Sequence, residues 1–292
     1  MGKNTYVAVG NREDISDLIT NITPTDTPLL SAFGKGDKAD ATYHEWLEDK
    51  IAKPKANKQV EGVEYKTEDP EPRARLGNHT QIFTKGYGVT GTQEAVQKHG
   101  VTSEIGYQMV KAMKEIAGDI EYAILTQTAD VAGSATVPRE FKGVPGWLTT
   151  NKLTAGTARP FTEELLNDAL QKAWDQGGTP KKVYLSGKQK RKVSAWSGDG
   201  DKHLDQNSKK LVNSIAVYES DFGIVSFVPH RLMTDDVVFV IDHNFFKMSY
   251  LRNLKTVEKP KTHDKIEKLI IGELTLEARA EKASAMIEKL SA

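Results

Sequence analysis

The spacing of apolar residues predicts one long helix in the first half of the chain. Thr102 or Ser103 can cap its start, because hydroxyl side chains accept backbone N–H bonds at helix N-termini. Apolar residues then recur every three or four positions, which places them on one face of a helix of about five to six turns. This stripe consists of Ile105, Met109, Met113, Ile116, Ile120 and Ile124. The two methionines are interpreted as core filler.

A second helix begins after Thr162, which is suited to the N-cap, and closes at Gly177. Glu163 and Glu164 lie at the end of this helix where its dipole favours negative charge. Its apolar positions are Leu165, Leu166, Ala169, Leu170, Ala173 and Trp174. The composition further predicts a helix with a basic face over 187–196, and strands over 182–186, 214–218, 223–228, 237–241, 247–251 and 269–278. Helices and antiparallel strands are segregated rather than alternating, so the fold class is α+β.

The N-terminal region is expected to be an arm. Asp14–Ile19 can form a short helical turn, and Pro24 and Pro28 prevent it from extending. The apolar residues that follow need something to cover them, and they are Leu29, Leu30 and Phe33. We expect a turn over 34–38 and strands over 42–47 and 81–89.

Residues 48–75 are almost without large apolar side chains and are crowded with charge. The charge is sorted into a basic stretch and then an acidic one that contains only Lys66 as a base. The basic stretch comprises Lys50, Lys53, Lys55 and Lys58, and the acidic stretch comprises Glu61, Glu64, Glu68, Asp69 and Glu71. Composition alone favours a solvated loop or linker. The alternative is a projecting two-stranded arm that becomes ordered against a neighbouring subunit of opposite charge.

The composition excludes several classes of protein. The 292 residues carry 40 basic and 40 acidic side chains, whereas a domain that follows a phosphate backbone has a basic excess. Because the net charge is zero, copies of the chain do not repel each other and associate more easily. No cysteine is present, which excludes disulfides, thiolate metal sites and a cysteine nucleophile. The chain also lacks a run of about 20 apolar residues and a signal peptide, so we expect no membrane partner and a cytosolic site of synthesis.

The candidate motifs for chemistry fail at defined positions. His44-Glu45 begins like a zinc-protease helix, but the second ligand position holds Glu48. The polar stretch at Asp199 resembles the start of a calcium loop without its glycine and closing glutamate. No phosphate loop or nucleophile elbow is present, and Asp242-His243 is interpreted as a turn that ends a strand. We expect no enzyme activity, no cofactor and no metal.

A basic cluster occurs on the helix predicted over 187–196. It consists of Lys188, Lys190, Arg191 and Lys192. The interpretation favoured by its composition is the solvated face of an amphipathic helix, because no aromatic residues are interleaved for base stacking. Contact with a packaged genome is the other interpretation.

The order of these parts resembles the major capsid (head) protein of tailed bacteriophages. Several stretches share that likeness and together span nearly the whole chain, namely residues 17–30, 43–46, 75–83, 91–96, 217–223 and 275–279. The resemblance implies the tailed-phage capsid fold, with an N-terminal arm over 1–37 and an extended two-stranded loop over 38–88. It further implies a peripheral domain over 89–179 with a spine helix at 102–128, an axial domain over 180–248, and returning peripheral strands over 249–292.

The same resemblance implies a self-assembling shell subunit that forms pentamers and hexamers around double-stranded DNA. Its partners would be copies of itself, portal and scaffolding proteins, and non-specifically bound DNA on the inner surface. In this fold the loop lies over the neighbouring subunit, which reverses the preference for a merely solvated loop and makes its charged residues candidates for contacts between subunits. Leu29, Leu30 and Phe33 of the arm are further candidates for such contacts. The basic cluster would lie in the axial domain. No motif supports a covalent cross-link at Asn57 or Lys58.

Three alternatives stay open at the level of sequence. An encapsulin-like compartment has the same fold but holds a cargo protein. A tail or decoration protein would form tubes or trimers, and an enzyme with an unrecognised site would need a convergent set of catalytic residues that the motifs do not provide.

Overall fold

The structure, a computed structural model, describes residues 26–52, 54–64, 72–97, 100–196, 204–205, 210–211 and 217–291. The helical turn predicted at 14–19 and the polar stretch at Asp199 lie outside these residues. The chain divides into two compact units. The described part of the smaller unit comprises Thr84–Ile116 and Lys255–Ile271, and the larger unit comprises Asp26–Phe83, Ala117–Leu254 and Gly272–Ala292.

Six α-helices occur in the described residues. They are α1 (Pro28–Ala32), α2 (Gly91–Ala95), α3 (Glu104–Thr126), α4 (Val144–Trp147), α5 (Glu163–Asp175) and α6 (Gly187–Ser194). Short 3-10 turns occur at His243–Phe245 and Glu281–Ala283.

The strands form two larger sheets and two ribbons. They are β1 (Gly34–Lys35), β2 (Tyr43–Glu48), β3 (Ala74–His79), β4 (Gln81–Thr90), β5 (Lys152–Leu153), β6 (Lys182–Leu185), β7 (Leu204–Asp205), β8 (Lys210–Leu211), β9 (Val217–Ser220), β10 (Gly223–Pro229), β11 (Val238–Ile241), β12 (Phe246–Glu258), β13 (Lys265–Ala278) and β14 (Ala285–Ile287). The sheet orders are β1-β12-β13-β4 and β5-β14-β11-β6-β10-β9, and the ribbons are β2-β3 and β7-β8. The α+β class is confirmed.

The core of the larger unit lies between α5 and the six-stranded sheet. Leu166 and Leu170 of α5 pack with Val183 of β6 and Val240 of β11, all of them buried. This sheet is mixed, because β6 pairs in parallel with β10 and antiparallel with β11. The sequence predicted antiparallel strands only. A parallel pair needs a long connection between its strands, and α6 and the strands β7, β8 and β9 lie between β6 and β10 in the chain.

The long helix α3 begins and ends within two residues of the range expected from the resemblance. Its start is capped by Glu94 of α2, whose carboxylate accepts the amides of Glu104 at 2.9 Å and Ile105 at 3.1 Å. Ser103, one of the two predicted caps, donates its hydroxyl to the same carboxylate at 2.8 Å. The interpretation of Met109 and Met113 as core filler is wrong, because both are exposed in the isolated chain.

The second predicted helix, α5, is confirmed with Thr162 as its N-cap, whose side chain accepts the amide of Leu165. Gly177 follows the helix with φ +84°, the left-handed geometry that glycine adopts at helix ends. Trp174 differs from its prediction as an apolar-face residue, because it is 55% exposed. Its ring centroid lies 5.9 Å from that of Phe222.

The N-terminal region holds one correction. Pro28, expected to prevent extension of the turn at 14–19, begins the separate helix α1, where its missing N–H costs nothing. Gly34 and Lys35, predicted as a turn, form β1, which pairs in parallel with Lys247 and Met248 of β12.

Candidate functional site

The extended loop is closed at its base by a two-stranded ribbon. Strand β2 pairs antiparallel with β3 along its whole length, from Tyr43 opposite His79 to Glu48 opposite Ala74. The chain therefore leaves and re-enters the fold at one place, and residues 49–73 form a single excursion between the two strands.

Every described residue of this excursion is exposed in the isolated chain. Two apolar residues stand out, because Ile51 is 98% exposed and Val60 is 79% exposed. The predicted contact residues Lys50, Lys55, Lys58, Glu61 and Glu64 are all exposed, and Lys53, Glu68, Asp69 and Glu71 lie outside the described residues. Gly62 has φ +82°, so the chain turns sharply at the start of the acidic stretch, directly after Glu61.

The base of the loop, in contrast, is fixed by a buried carboxylate. Glu273 of β13 accepts the hydroxyl of Thr80 at 2.7 Å and the Nε–H of Arg252 at 3.0 Å. It also forms ion pairs with Arg252 Nη2 at 3.0 Å and with Arg139. Its side chain is 4% exposed. Arg139 in turn donates to the carbonyl of Thr80. One carboxylate thus joins the end of β3 to β12, β13 and the segment before α4.

Two further buried side chains attach the ribbon to the fold. Asn78 donates to the carbonyls of Lys142 at 3.0 Å and Leu276 at 2.7 Å, and it accepts the amide of Lys142. Trp46 donates its indole N–H to the carbonyl of Ala278 and packs on Trp147, with ring centroids 5.4 Å apart. Both strands of the ribbon are therefore bonded to β13 through groups that are hidden from water.

Glu277, also on β13, lies near His44, the first residue of the incomplete zinc-protease motif. It accepts the hydroxyl of Ser249 at 3.1 Å and the guanidinium of Arg279 at 2.8 Å, and His44 Nε2 is 3.8 Å from its carboxylate. A Cβ at Gly36 would lie 2.3 Å from the Ser249 hydroxyl, so only glycine fits there. In the part of the chain that the structure describes, no group of three His, Asp or Glu side chains could hold a metal ion.

A second buried carboxylate holds the start of the N-terminal arm. Glu121 of α3 accepts the backbone amides of Leu29 at 2.8 Å and Leu30 at 2.7 Å, and it is fully buried. His230 Nε2 is 2.7 Å from the same carboxylate, while its Nδ1 accepts the amide of Leu232. This second bond assigns the proton to Nε2, so the imidazole donates to Glu121.

The arm residues predicted as contacts between subunits need partial correction. Leu29 is fully buried and Phe33 nearly so within their own chain, and Phe33 stacks on Phe246 at 5.3 Å. The prediction that a neighbouring subunit covers these two residues is wrong, because α1 packs against its own chain. Leu30 is half-buried.

The basic cluster on α6 makes contacts within the chain. Lys188 pairs with Asp235 at 2.7 Å, and hydrogen bonds from Lys188 and Ser186 lower the pKa of that carboxyl. Lys192 donates to the carbonyl of Ser291 at 2.6 Å. Lys190 lies 5.5 Å from the centroid of the Phe227 ring, and burial lowers its pKa. Arg191, like Lys188, is exposed.

The pair Asp242-His243 has a structural role. Asp242 accepts the amides of Asn244 and Thr179, both at 3.1 Å, so it caps the 3-10 turn as the sequence predicted. His243 Nε2 lies 2.7 Å from the Tyr184 hydroxyl. Burial, with a smaller contribution from Lys182, lowers the pKa of His243 to about 4. A neutral imidazole held by a tyrosine is suited to packing.

Sequence reasoning missed the two carboxylates that organise these regions. Glu121 lies next to the apolar stripe of α3, three residues before Ile124, and Glu273 interrupts the apolar run of β13. An acidic residue within an apolar pattern is the feature of the sequence that could have identified both carboxylates. Among the described residues, no helix is long and apolar enough to cross a membrane.

Comparison with known proteins gives a consistent result. The family described as SU10 major capsid protein matches residues 2–291. A curated major capsid protein of Escherichia phage Phieco32 is 30% identical over 125 residues, which is 42% of this chain and only about a third (35%) of that relative's length.

Solved structures share the fold at low identity. The capsid asymmetric unit of Cyanophage A-1(L) has a TM-score of 0.68 at 11% identity, covering 99% of each chain. An encapsulin complex from Synechococcus elongatus has a TM-score of 0.60 at 11% identity, covering 97% of this chain and 93% of that one. The expected capsid fold is confirmed. Since the family match runs over nearly every residue, the protein belongs to the SU10 major capsid protein family and has the structural role of a phage capsid subunit.

Proposed function

We propose that copies of this chain form pentamers and hexamers that close into an icosahedral phage head around double-stranded DNA. The observation that supports this most is the contrast within the loop, whose base is bonded through buried groups while its described residues are all exposed. Loops of this length in compact proteins serve a function or are disordered. A rigidly based projection with uncovered apolar residues is suited to contact with another subunit.

The proposed contact residues are those of the charge-sorted loop together with Leu30. Ile51 and Val60 would be covered in the assembly, and the basic and acidic stretches would each meet a surface of opposite sign. Lys255, Lys259 and Lys261, all exposed, provide basic side chains for the acidic stretch. Such exposed ion pairs contribute little individually, but a shell repeats each contact many times, and multivalency makes the sum large.

The shell would be built in the host cytoplasm with portal and scaffolding proteins, and it would hold its DNA without sequence preference. Arg191 of the basic cluster is exposed and is suited to a phosphate contact. The zero net charge favours confinement of DNA by a closed wall over tight binding to it. The role is geometric and includes no catalytic step.

The test is negative-stain electron microscopy of the purified chain over a range of salt and concentration. We expect closed shells or capsomer rings, because the exposed loop has no cover in the single subunit. A persistent monodisperse monomer, also after co-expression with the neighbouring genes, would contradict the proposal.

A second candidate is a protein compartment that encloses cargo protein, and the encapsulin of similar fold favours it. The two candidates differ in what fills the particles. Nuclease-protected double-stranded DNA in particles from the native host would identify a phage head, and a co-purifying enzyme would identify a compartment. The phage relative makes the first candidate the preferred one.

A further inference from the structure

His230 uses both of its ring nitrogens in bonds inside the fold. Its Nε2 lies 2.7 Å from the carboxylate of Glu121, and its Nδ1 accepts the backbone amide of Leu232 at 3.1 Å. The side chains of His230 and Glu121 are 1% and 0% exposed. A neutral imidazole takes up a further proton at its unprotonated nitrogen, which is Nδ1 in this ring. Proton uptake by His230 therefore has to displace the amide of Leu232.

The contacts of Glu121 decide which member of this pair takes up a proton. The carboxylate accepts the amides of Leu29 and Leu30 in addition to the Nε2–H of His230. A proton on the carboxylate would turn an acceptor oxygen into a donor and leave a buried amide without a partner, which is costly. A proton on the ring costs one bond, to Leu232, and places the positive imidazolium beside a negative carboxylate. The geometry therefore favours the proton on His230.

The nearby His243 shows the behaviour of a buried ring that has no carboxylate bonded to it. Its Nε2 lies 2.7 Å from the Tyr184 hydroxyl, and burial, with a smaller contribution from Lys182, lowers its pKa to about 4. The pKa of Tyr184 itself is raised, first by burial and then by the charge of Glu121. Burial disfavours the charged form of an imidazole, and an adjacent carboxylate offsets that cost. Of the two histidines, His230 is therefore the one equipped to respond to mild acid.

The bond from Leu232 ties the turn after β10 to the buried pair. Leu232 is 38% exposed and Met233 is 8% exposed, so the turn has an outer and an inner side. On the outer side, Arg231 lies 3.6 Å from Asp26, and both of these side chains are at least 70% exposed. Such an exposed ion pair is screened by water and contributes little. The bond to Nδ1 is thus the contact that a proton can break to loosen the outer side of the turn.

We infer that His230 is a proton-operated switch for the turn at 231–233. With Nδ1 unprotonated, the turn is closed by the amide of Leu232. A proton on Nδ1 breaks that bond, pairs the charged ring with Glu121 and releases the turn, while helix α1 keeps its acceptor. Because this proton binds to the open turn and not to the closed one, proton uptake and opening are coupled. The switch acts within one subunit, so it does not depend on the proposed assembly.

Hydrogen exchange of the full-length chain, resolved to single amides, tests the switch. It is measured at about pH 7.5 and about pH 5.5, on either side of the range in which histidine titrates, and each rate is divided by the intrinsic rate at that pH. We expect the protection of Leu232 to fall about fivefold at the lower pH, which corresponds to the loss of one hydrogen bond. The protection of Leu29 and Leu30 should stay the same.

The matched control is His230→Gln. Its amide group offers a donor for Glu121 and an acceptor for Leu232 but does not titrate, so the protection of Leu232 should no longer depend on pH. His243→Gln should respond to pH as the unsubstituted chain does. An equal fall in His230→Gln would overturn the inference, as would unchanged protection of Leu232 in the unsubstituted chain. Loss of protection at Leu29 instead of Leu232 would place the proton on the carboxylate and contradict the switch.

A second measurement needs no substitution at His230. Solid-state NMR of the chain labelled with ¹⁵N-histidine, with the ring assigned through its backbone, reports the protonation of each ring nitrogen whether or not shells form. We expect Nδ1 to be unprotonated at about pH 7.5 and protonated at about pH 5.5, with Nε2 protonated at both. A proton on Nδ1 at the higher pH, or none at the lower pH, would overturn the inference.

Discussion

The base and the described tip of the extended loop differ in burial and in how far apart in sequence their hydrogen-bond partners lie. At the base, Asn78, Thr80 and Glu273 are buried and every bond joins residues far apart in sequence. At the tip, Ile51 and Val60 are exposed, and Gln59 donates to Asn57, only two residues away. The difference separates two roles, because the base contributes to the stability of one subunit while the tip is available for contact with another.

The largest effect is expected from Glu273→Ala. Removing this carboxylate leaves Arg139 and Arg252 facing each other without an anion, and breaking such a pair costs about 3 kcal/mol of unfolding free energy. Urea unfolding followed by circular dichroism measures it. The control is Glu267→Ala, whose exposed ion pair with Lys265 should leave the midpoint unchanged. Equal midpoints for the two variants would mean that the base does not stabilise the subunit.

A smaller loss is expected from Glu121→Gln. The amide keeps one acceptor oxygen for the arm where the carboxylate had two, so we expect about 2 kcal/mol of destabilisation. The amides of Leu29 and Leu30 should also exchange hydrogen faster, which measures the attachment of α1 directly. Asp119→Asn, exposed on the same helix, is the control. Unchanged exchange at Leu29 and Leu30 would contradict the role of Glu121.

A pH effect is expected from His243. Because its pKa is lowered to about 4 in the folded chain, the unfolded chain takes up this proton first, near pH 6.5. This contribution to stability is complete above pH 6.5 and is lost as the pH falls towards 4. We expect about 1 kcal/mol, since the ring is partly exposed and screened.

His243→Gln should flatten the pH profile of unfolding free energy between pH 6.5 and 4. The exposed His263→Gln is the control and should keep the slope. An identical slope in wild type and His243→Gln would show that other groups cause the acid loss.

The smallest effect on stability is expected at the tip of the loop. Replacing Ile51 and Val60 by serine removes no contact within the subunit, so the unfolding free energy should change by less than about 0.5 kcal/mol. Particle yield in electron micrographs should nevertheless fall, because these side chains lose their cover between subunits. Normal particle yield would contradict the role assigned to the tip.

Sequence reasoning succeeded where the signals are local. The caps at Ser103 and Thr162 and the apolar spacing of α3 and α5 place both helices within a few residues, since each capping hydroxyl accepts an amide within about one turn. Thr162, for example, bonds the amide three residues on. Such contacts can be read directly from a short stretch of sequence.

The organising carboxylates could not be predicted because their partners are distant. Glu121 bonds the amide of Leu29, 92 residues away, and Glu273 pairs with Arg139 across 134 residues. Periodicity also fails to tell which part of an apolar stripe is covered, so Met109 and Met113 were placed in a core. The boundaries of the arm, peripheral and axial domains stay predictions.

The most direct test of the central claim is a deletion of residues 50–72. The buried bonds of the ribbon and of Glu273 lie outside the deleted segment, so the shortened chain should keep the unfolding midpoint of the full-length protein. In electron micrographs it should form few or no closed shells under conditions where the full-length chain forms them. Shells of normal number and size from the shortened chain would contradict the assignment of the loop as the contact between subunits.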